Sequence, residues 1–148
     1  MFLTPLKTVD GLALHTLVTE PIEQPVAKVI LIHGFGDHSE ALPYRNLTRH
    51  LVAHNFAVYS FDLRGHGQSE GQRMFVQNWD EIGTDVGSFV DCVRQEAPAL
   101  PLFLVGLSMG GLIALNYGLN NPSRYTDPSG HSVDCGPYDP NCRAGKIV

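Results

Sequence analysis

Gly106-Leu107-Ser108-Met109-Gly110 sets a serine between two glycines, each two positions away. A serine hydroxyl becomes a useful nucleophile when the backbone holds it clear of its neighbours, close to donors that can stabilise charge on an attacked oxygen. This spacing suits such a hold. Where a strand turns sharply into a helix, glycines are needed on either side because a Cβ there would collide. The turn projects the hydroxyl outward and leaves a helix N-terminus beneath it. A bare G-x-S-x-G also arises by chance in roughly one chain in twenty of this length. An ordinary glycine-rich turn with an incidental serine is therefore the alternative reading of the motif alone.

The flanking elements favour the first reading. Pro101 to Val105 is a short, apolar, proline-bounded run, as a buried strand should be. Gly110 to Tyr117 then favours a helix by composition, and Gly111 adds a further glycine to the turn. Val26 to Ile32 is a second buried-strand run, ending in His33-Gly34-Phe35-Gly36; Phe56 to Phe61 is a third, emptying into a loop from Asp62 to Gly71. Three apolar strands with glycine-rich loops at their carboxyl ends describe an open parallel sheet, and ligand sites in such sheets form at that end.

Phe2 to Thr8 and Gly11 to Thr19 are expected to form a leading hairpin turned by Asp10-Gly11. Tyr44, Leu47, Leu51 and Val52 lie at helical spacing, giving a helix that ends near His54-Asn55. His50 and His54 stand four apart on it, but with no third ligand in view they are expected to face solvent rather than a metal. Asn78-Trp79-Asp80-Glu81 has the character of a capping box. Behind it Trp79, Ile82, Val86, Phe89, Val90 and Val93 form one apolar stripe, expected to pack on the sheet as core. Strands alternating with helices imply right-handed crossovers.

Three segments carry a family resemblance: 33 to 40 (His-Gly-Phe-Gly-Asp-His-Ser-Glu), 61 to 71 (Phe-Asp-Leu-Arg-Gly-His-Gly-Gln-Ser-Glu-Gly) and 106 to 111 (Gly-Leu-Ser-Met-Gly-Gly). Together they resemble the α/β-hydrolase superfamily, and within it the monoacylglycerol lipase and lysophospholipase branch, a serine aminopeptidase-like hydrolase domain. The resemblance covers residues 1 to about 120 and implies the N-terminal half of an α/β-hydrolase fold, a mostly parallel sheet flanked by helices. It implies a serine hydrolase acting on carboxylic esters of the monoacylglycerol or lysophospholipid type. Ser108 matches the nucleophile. The backbone N–H groups of Met109 and Phe35 match the oxyanion-hole donors, which leaves both side chains free to line an acyl pocket. Gly34, Gly106 and Gly110 match the supporting glycines, while His33, Asp62, Arg64 and His66 match positions that hold loops in place, so His33 is not expected to be the catalytic base.

The resemblance also implies the order nucleophile, acid, histidine. Downstream of Ser108 stand Asp127, Asp134, Asp139 and His131, none after an apolar strand-like run. The triad acid and base are therefore expected to be absent from this chain, and the nucleophile to be weak without them. The strand before Ser108, internal in the resembled fold, is expected to present an apolar edge at Leu102 to Val105. Marginal stability and self-association through that edge would follow.

Residues 121 to 148 read as an irregular tail rich in Pro, Gly, Asn and Asp. The segment from Tyr117 to Gly130 resembles the end of an Rhs repeat-associated core, Y-x-x-N-N-P-x-x-Y-x-D-P-x-G. Two further readings thus stand beside the hydrolase: an inactive fragment or pseudoenzyme arising from truncation or gene fusion, and an Rhs-associated toxin junction. Cys92 falls on a helix, and Cys135 and Cys142 can close a loop if the tail is exported.

The net charge of −5 and the lack of a basic cluster argue against nucleic acid or an anionic membrane as partner. The N-terminus has no signal-peptide layout and no run is long enough to span a bilayer, so a cytoplasmic setting without stable membrane insertion is expected. No cofactor and no metal are expected. Gly65-x-Gly67-x-x-x-Gly71 has the wrong spacing for a dinucleotide fingerprint, and G-K-[ST] is missing for a P-loop.

Overall fold

The computed structural model describes residues 6–121. Leu6–Lys7 (β1) and Ala13–Leu14 (β2) form a small antiparallel pair, closed by Gly11 at φ +91°, a value open to glycine. Thr16–Thr19 (β3) follows, then Ala27–Ile32 (β4), Leu42–Ala53 (α1), Phe56–Phe61 (β5), Trp79–Glu96 (α2), Leu102–Gly106 (β6) and Met109–Asn120 (α3). The larger sheet runs β3-β5-β4-β6, with β5, β4 and β6 parallel and β3 antiparallel at one edge.

The parallel strands align at their carboxyl ends. Ile32 pairs with Phe61 on one side and with Gly106 on the other, so the loops after β4, β5 and β6 leave the sheet at one level. Every residue of β4 is buried, as expected of a strand covered on both faces. Ile30, Ile32, Tyr59 and Phe61 face α2 and α3 and pack with Val86, Phe89, Val90 and Ile113. Val29, Leu31 and Val58 face the other way, against Leu51 and Val52 of α1. This is the mostly parallel sheet with helices on both faces that the sequence implies.

Lys28 is a charged residue on this central strand and is 1% exposed. Its Nζ donates to the carbonyls of Val93 and Ala97, each at 2.8 Å, at the C-terminus of α2. A cation there complements the negative end of the helix dipole. Burial pushes its pKa below the ordinary lysine value.

Four expectations need correction. The leading hairpin is shorter: residues 2–5 lie outside the described residues, Thr8 belongs to the turn, and Val9 and Asp10 loop outward. Gly11 to Thr19 is two strands, because the chain changes partner at His15, from β1 to β5. Trp79 leaves the core stripe. It opens α2 at 55% exposure, and the stripe buries Asp85 along with Ile82, Val86, Phe89, Val90 and Val93. β6 is only half buried: Leu102 and Leu104 pack on the α2–α3 core, while Phe103 and Val105 are exposed on the face of the sheet that α1 covers further along.

α1 ends as expected, with Asn55 at φ 62°, and His50 and His54 lie on its exposed surface. Among the described residues no helix is long and apolar enough to cross a membrane.

Candidate functional site

The turn between β6 and α3 is strained where the serine stands. Ser108 has φ 55° and ψ −121°, a conformation that L-residues adopt only when the surroundings hold them there. Those surroundings are backbone. A Cβ on Gly106 would run into the Gly110 carbonyl and the Gly111 nitrogen; one on Gly110 would run into the carbonyl oxygens of Ile32 and His33. Both glycines permit a close approach between chain segments, and the serine between them is exposed. Leu107 N–H donates to the Ile32 carbonyl at 3.3 Å, tying the elbow to the end of β4.

The loop after β4 lies against this elbow. A Cβ on Gly34 would stand 3.4 Å from the Ser108 Cβ and 3.3 Å from the Leu107 carbonyl oxygen. Gly34 N–H donates to the Tyr44 hydroxyl at 2.9 Å, and Tyr44 is buried at the start of α1. Burial raises the Tyr44 pKa, so the phenol is neutral around pH 7. The next residue, Phe35, is exposed. Among the described residues its N–H meets no acceptor within the chain; nor does that of Met109, the first residue of α3. Two free backbone donors thus flank the serine, one of them at a helix N-terminus.

His33 locks the loop from below. The N–H of Leu63 can only donate, so His33 Nε2 accepts from it at 2.9 Å, and Nδ1 carries the proton towards the Gly34 carbonyl at 2.7 Å. Burial lowers the pKa of the ring, chiefly by disfavouring the imidazolium. With both nitrogens occupied, this imidazole is a loop fastener.

Asp62 performs the same office after β5. Its carboxylate accepts from the Ser39 N–H at 2.7 Å, the Ser39 hydroxyl at 2.6 Å and the Gln68 N–H at 2.8 Å. Burial alone would raise its pKa, but these three donors outweigh burial and hold it below the ordinary value. Arg64 has all five donors engaged: two on Asp85, two on Asp10 and one on Glu81, at 2.7 to 3.2 Å. The guanidinium joins the β1–β2 turn to α2 beneath the loop.

His66 departs from this pattern. Its Nδ1 donates to the Arg64 carbonyl at 2.9 Å, while Nε2 is buried with no partner among the described residues. Its ring stands 5.4 Å from that of His33 and 5.5 Å from that of Phe35.

The sheet thus gathers Ser108, Phe35, Met109, Gly34, Gly106, Gly110 and His33 at one end, with Asp62, Arg64 and His66 bracing the loops. Sequence reasoning missed Tyr44 as a support of the first loop, having read it only as one of the residues at helical spacing. A polar atom on an otherwise apolar stripe was the available signal. Cys92 is a half-buried free thiol on α2. Asp127, His131, Asp134, Cys135, Asp139 and Cys142 lie outside the described residues, as does all but the first part of the Rhs-like segment. Among the described residues no three His, Cys, Asp or Glu side chains gather as a metal site.

Comparison with known proteins agrees with this fold. Residues 23–128 match the family model described as "Serine aminopeptidase, S33". Human monoglyceride lipase is 38% identical over 120 residues, covering 81% of this chain and 39% of that protein. A monoacylglycerol lipase of Mycolicibacterium smegmatis is 32% identical over 118 residues, covering 80% of this chain and 41% of that protein. Among solved structures, a soluble variant of monoglyceride lipase from Saccharomyces cerevisiae, in complex with a substrate analog, superposes with a TM-score of 0.69. It is 30% identical, over 82% of this chain and 41% of the other. The chain therefore spans about two fifths of the length of these relatives.

Proposed function

This chain belongs to the serine aminopeptidase, S33, family, with an α/β-hydrolase fold, and from that membership we propose that Ser108 is the nucleophile of a carboxylic-ester hydrolase. The observation that carries the reading is the strained Ser108 backbone, near two N–H groups that meet no acceptor among the described residues, at the level where three parallel strands end. Strain at an exposed polar residue persists where the surrounding structure imposes it.

In this reading Ser108 Oγ attacks the ester carbonyl carbon, and the carbonyl oxygen takes up negative charge between the N–H groups of Phe35 and Met109. Such donors act on charge that develops in the transition state, and one of them is worth about 3 kcal/mol. The serine proton passes to a base that is assigned to no described residue; His33, with both nitrogens occupied, does not serve. Gly34, Gly106 and Gly110 permit the close packing, and His33, Asp62, Arg64 and His66 position the loops. The names of the relatives support a monoacylglycerol-type ester as substrate, and the sequence resemblance adds a lysophospholipid-type ester beside it.

Fluorophosphonate labelling of the size-selected protein tests this reading, with Ser108→Ala as control. Labelling confined to the unsubstituted protein supports it. A folded sample that stays unlabelled overturns it in favour of a non-catalytic member of the family.

The edge of β6 favours a second role. Its Phe103 and Val105 are exposed, no strand among the described residues pairs with its outer edge, and we propose that this edge pairs with a second copy of the chain. Sedimentation velocity on the protein and on Phe103→Lys checks this: the variant should shift towards monomer, and identical profiles would exclude the edge.

A further inference from the structure

α1 and the β3 edge of the larger sheet enclose a cavity of about 380 Å³, on the side of the sheet away from α2 and α3. Strand pairing decides which side chains reach it. Leu17 lies opposite Ser60 and Thr19 opposite Val58, and directly opposed residues of an antiparallel pair share a face. Val58 packs towards α1, so Leu17, Thr19 and Ser60 stand on that side too and line the cavity. Arg45 and Arg49, one turn apart on α1, form the opposite wall with Thr48. Two features of this cavity serve no purpose in the fold. Among the described residues neither guanidinium meets a carboxylate or any other acceptor within the chain. Ser60 is 7% exposed, and its hydroxyl likewise finds no partner among the described residues. Ser39 beside it behaves as buried hydroxyls ordinarily do, donating to Asp62 at 2.6 Å.

We propose that this cavity binds a phosphate monoester, its phosphate held between the Arg45 and Arg49 guanidinium groups and the Ser60 hydroxyl. The proposal stands apart from the reading of Ser108. Two cations on one wall and neutral hydroxyls on the other suit a tetrahedral, doubly charged group, whose free oxygens take donors from several directions. A planar carboxylate carries one charge and leaves one of the two guanidinium groups unmatched. Leu17 and Val52 add apolar surface, on which the organic part of the ester lies. Glu40 also borders the cavity, its carboxylate held by the Gln68 side chain at 3.0 Å, and its like charge limits the affinity. Cavities elsewhere lack this donor set: the one between α2 and α3 is lined by Asp80 and Asp91, and the one beside Phe35 and Met109 by no charged side chain.

The test is calorimetric titration of the whole chain with phenyl phosphate, at low salt and about pH 8, where the phosphate is a dianion. The expected result is saturable heat, with benzoate binding about tenfold more weakly. Replacing both arginines, Arg45→Ala with Arg49→Ala, should weaken binding about a hundredfold at an unchanged melting temperature. Ser60→Ala is the sharper variant, because it removes no charge: a built site loses about fivefold in affinity, whereas loose attraction to two surface cations loses nothing. Glu40→Gln should tighten binding about twofold. Absence of saturable heat at millimolar phenyl phosphate, equal affinity for benzoate, or unchanged affinity in Ser60→Ala overturns the site. Flotation with phosphatidylcholine vesicles, with and without phosphatidic acid, then distinguishes the source of the monoester. Flotation only with phosphatidic acid, lost in the double arginine variant, places it on a lipid headgroup; saturable heat without flotation places it on a small soluble molecule.

Discussion

Two consecutive stretches of chain flank the serine and are built on opposite plans. Between 62 and 69 most side chains are buried, and Asp62, Arg64 and Ser69 have their polar atoms engaged within the protein. Between 74 and 79 all but Val76 are exposed, and large apolar side chains stand open beside the elbow. The first stretch fixes the height and direction of the loops around Ser108; the second leaves surface free for contact. A site needs both, since positioning calls for groups whose partners are already inside the protein, and binding calls for groups whose partners are not.

The largest effect should come from breaking the fixed side. Gly110→Ala puts a methyl group into the Ile32 and His33 carbonyls, where only backbone could yield. A loss above about 4 kcal/mol is expected, read as failure to give a cooperative melt. Gly83→Ala on α2, where a Cβ meets nothing within 4 Å, should instead gain up to about 1 kcal/mol. Next, Arg64→Met leaves Asp85 buried without its partner and should cost about 3 kcal/mol in urea melts. Adding Asp85→Leu should recover most of that, because the two carboxylates then left without Arg64, Asp10 and Glu81, both reach solvent.

Acid should separate two of the fasteners. The His33 pKa is depressed in the fold, so the unfolded chain takes up that proton first; the stability due to the neutral ring is complete above the ordinary value of 6.5 and is lost as pH falls below it. For one proton the slope cannot exceed about 1.4 kcal/mol per pH unit. His33→Gln should flatten the fall in melting temperature between pH 7 and 5. The depressed Asp62 carboxyl acts lower, holding its contribution above its ordinary 3.8 and losing it as pH drops through the folded value. The smallest effect should be a gain: Ser108→Gly relieves the backbone strain and should raise stability by about 1 kcal/mol while abolishing fluorophosphonate labelling.

Short-range pattern made much of this fold legible. β5 lies at Phe56–Phe61 as read, and β4 loses only Val26, because runs of β-branched and aromatic residues bounded by turns leave little choice. The Ser108 turn was legible for a similar reason: its glycines are demanded by local crowding. Where pattern failed, the deciding partner was distant in sequence. Trp79 fits the helical period of α2, yet stands outside the core because the helix begins there and the sheet lies under Ile82 onward. Phe103 and Val105 alternate as an ordinary strand, and their exposure follows from which face α1 covers. Lys28 gave no sign at all, since its partners lie more than sixty residues away.

That lysine gives the molecule an internal clock. Its amine is sealed between the central strand and the last turn of α2, so an acylating reagent in water meets it only while the helix end stands away from the sheet. Lys7, exposed on β1, is open to the same reagent in the closed molecule. The lag between the two modifications therefore measures how often the sheet and its longest helix part company, a frequency that belongs to the intact fold and that no static distance records.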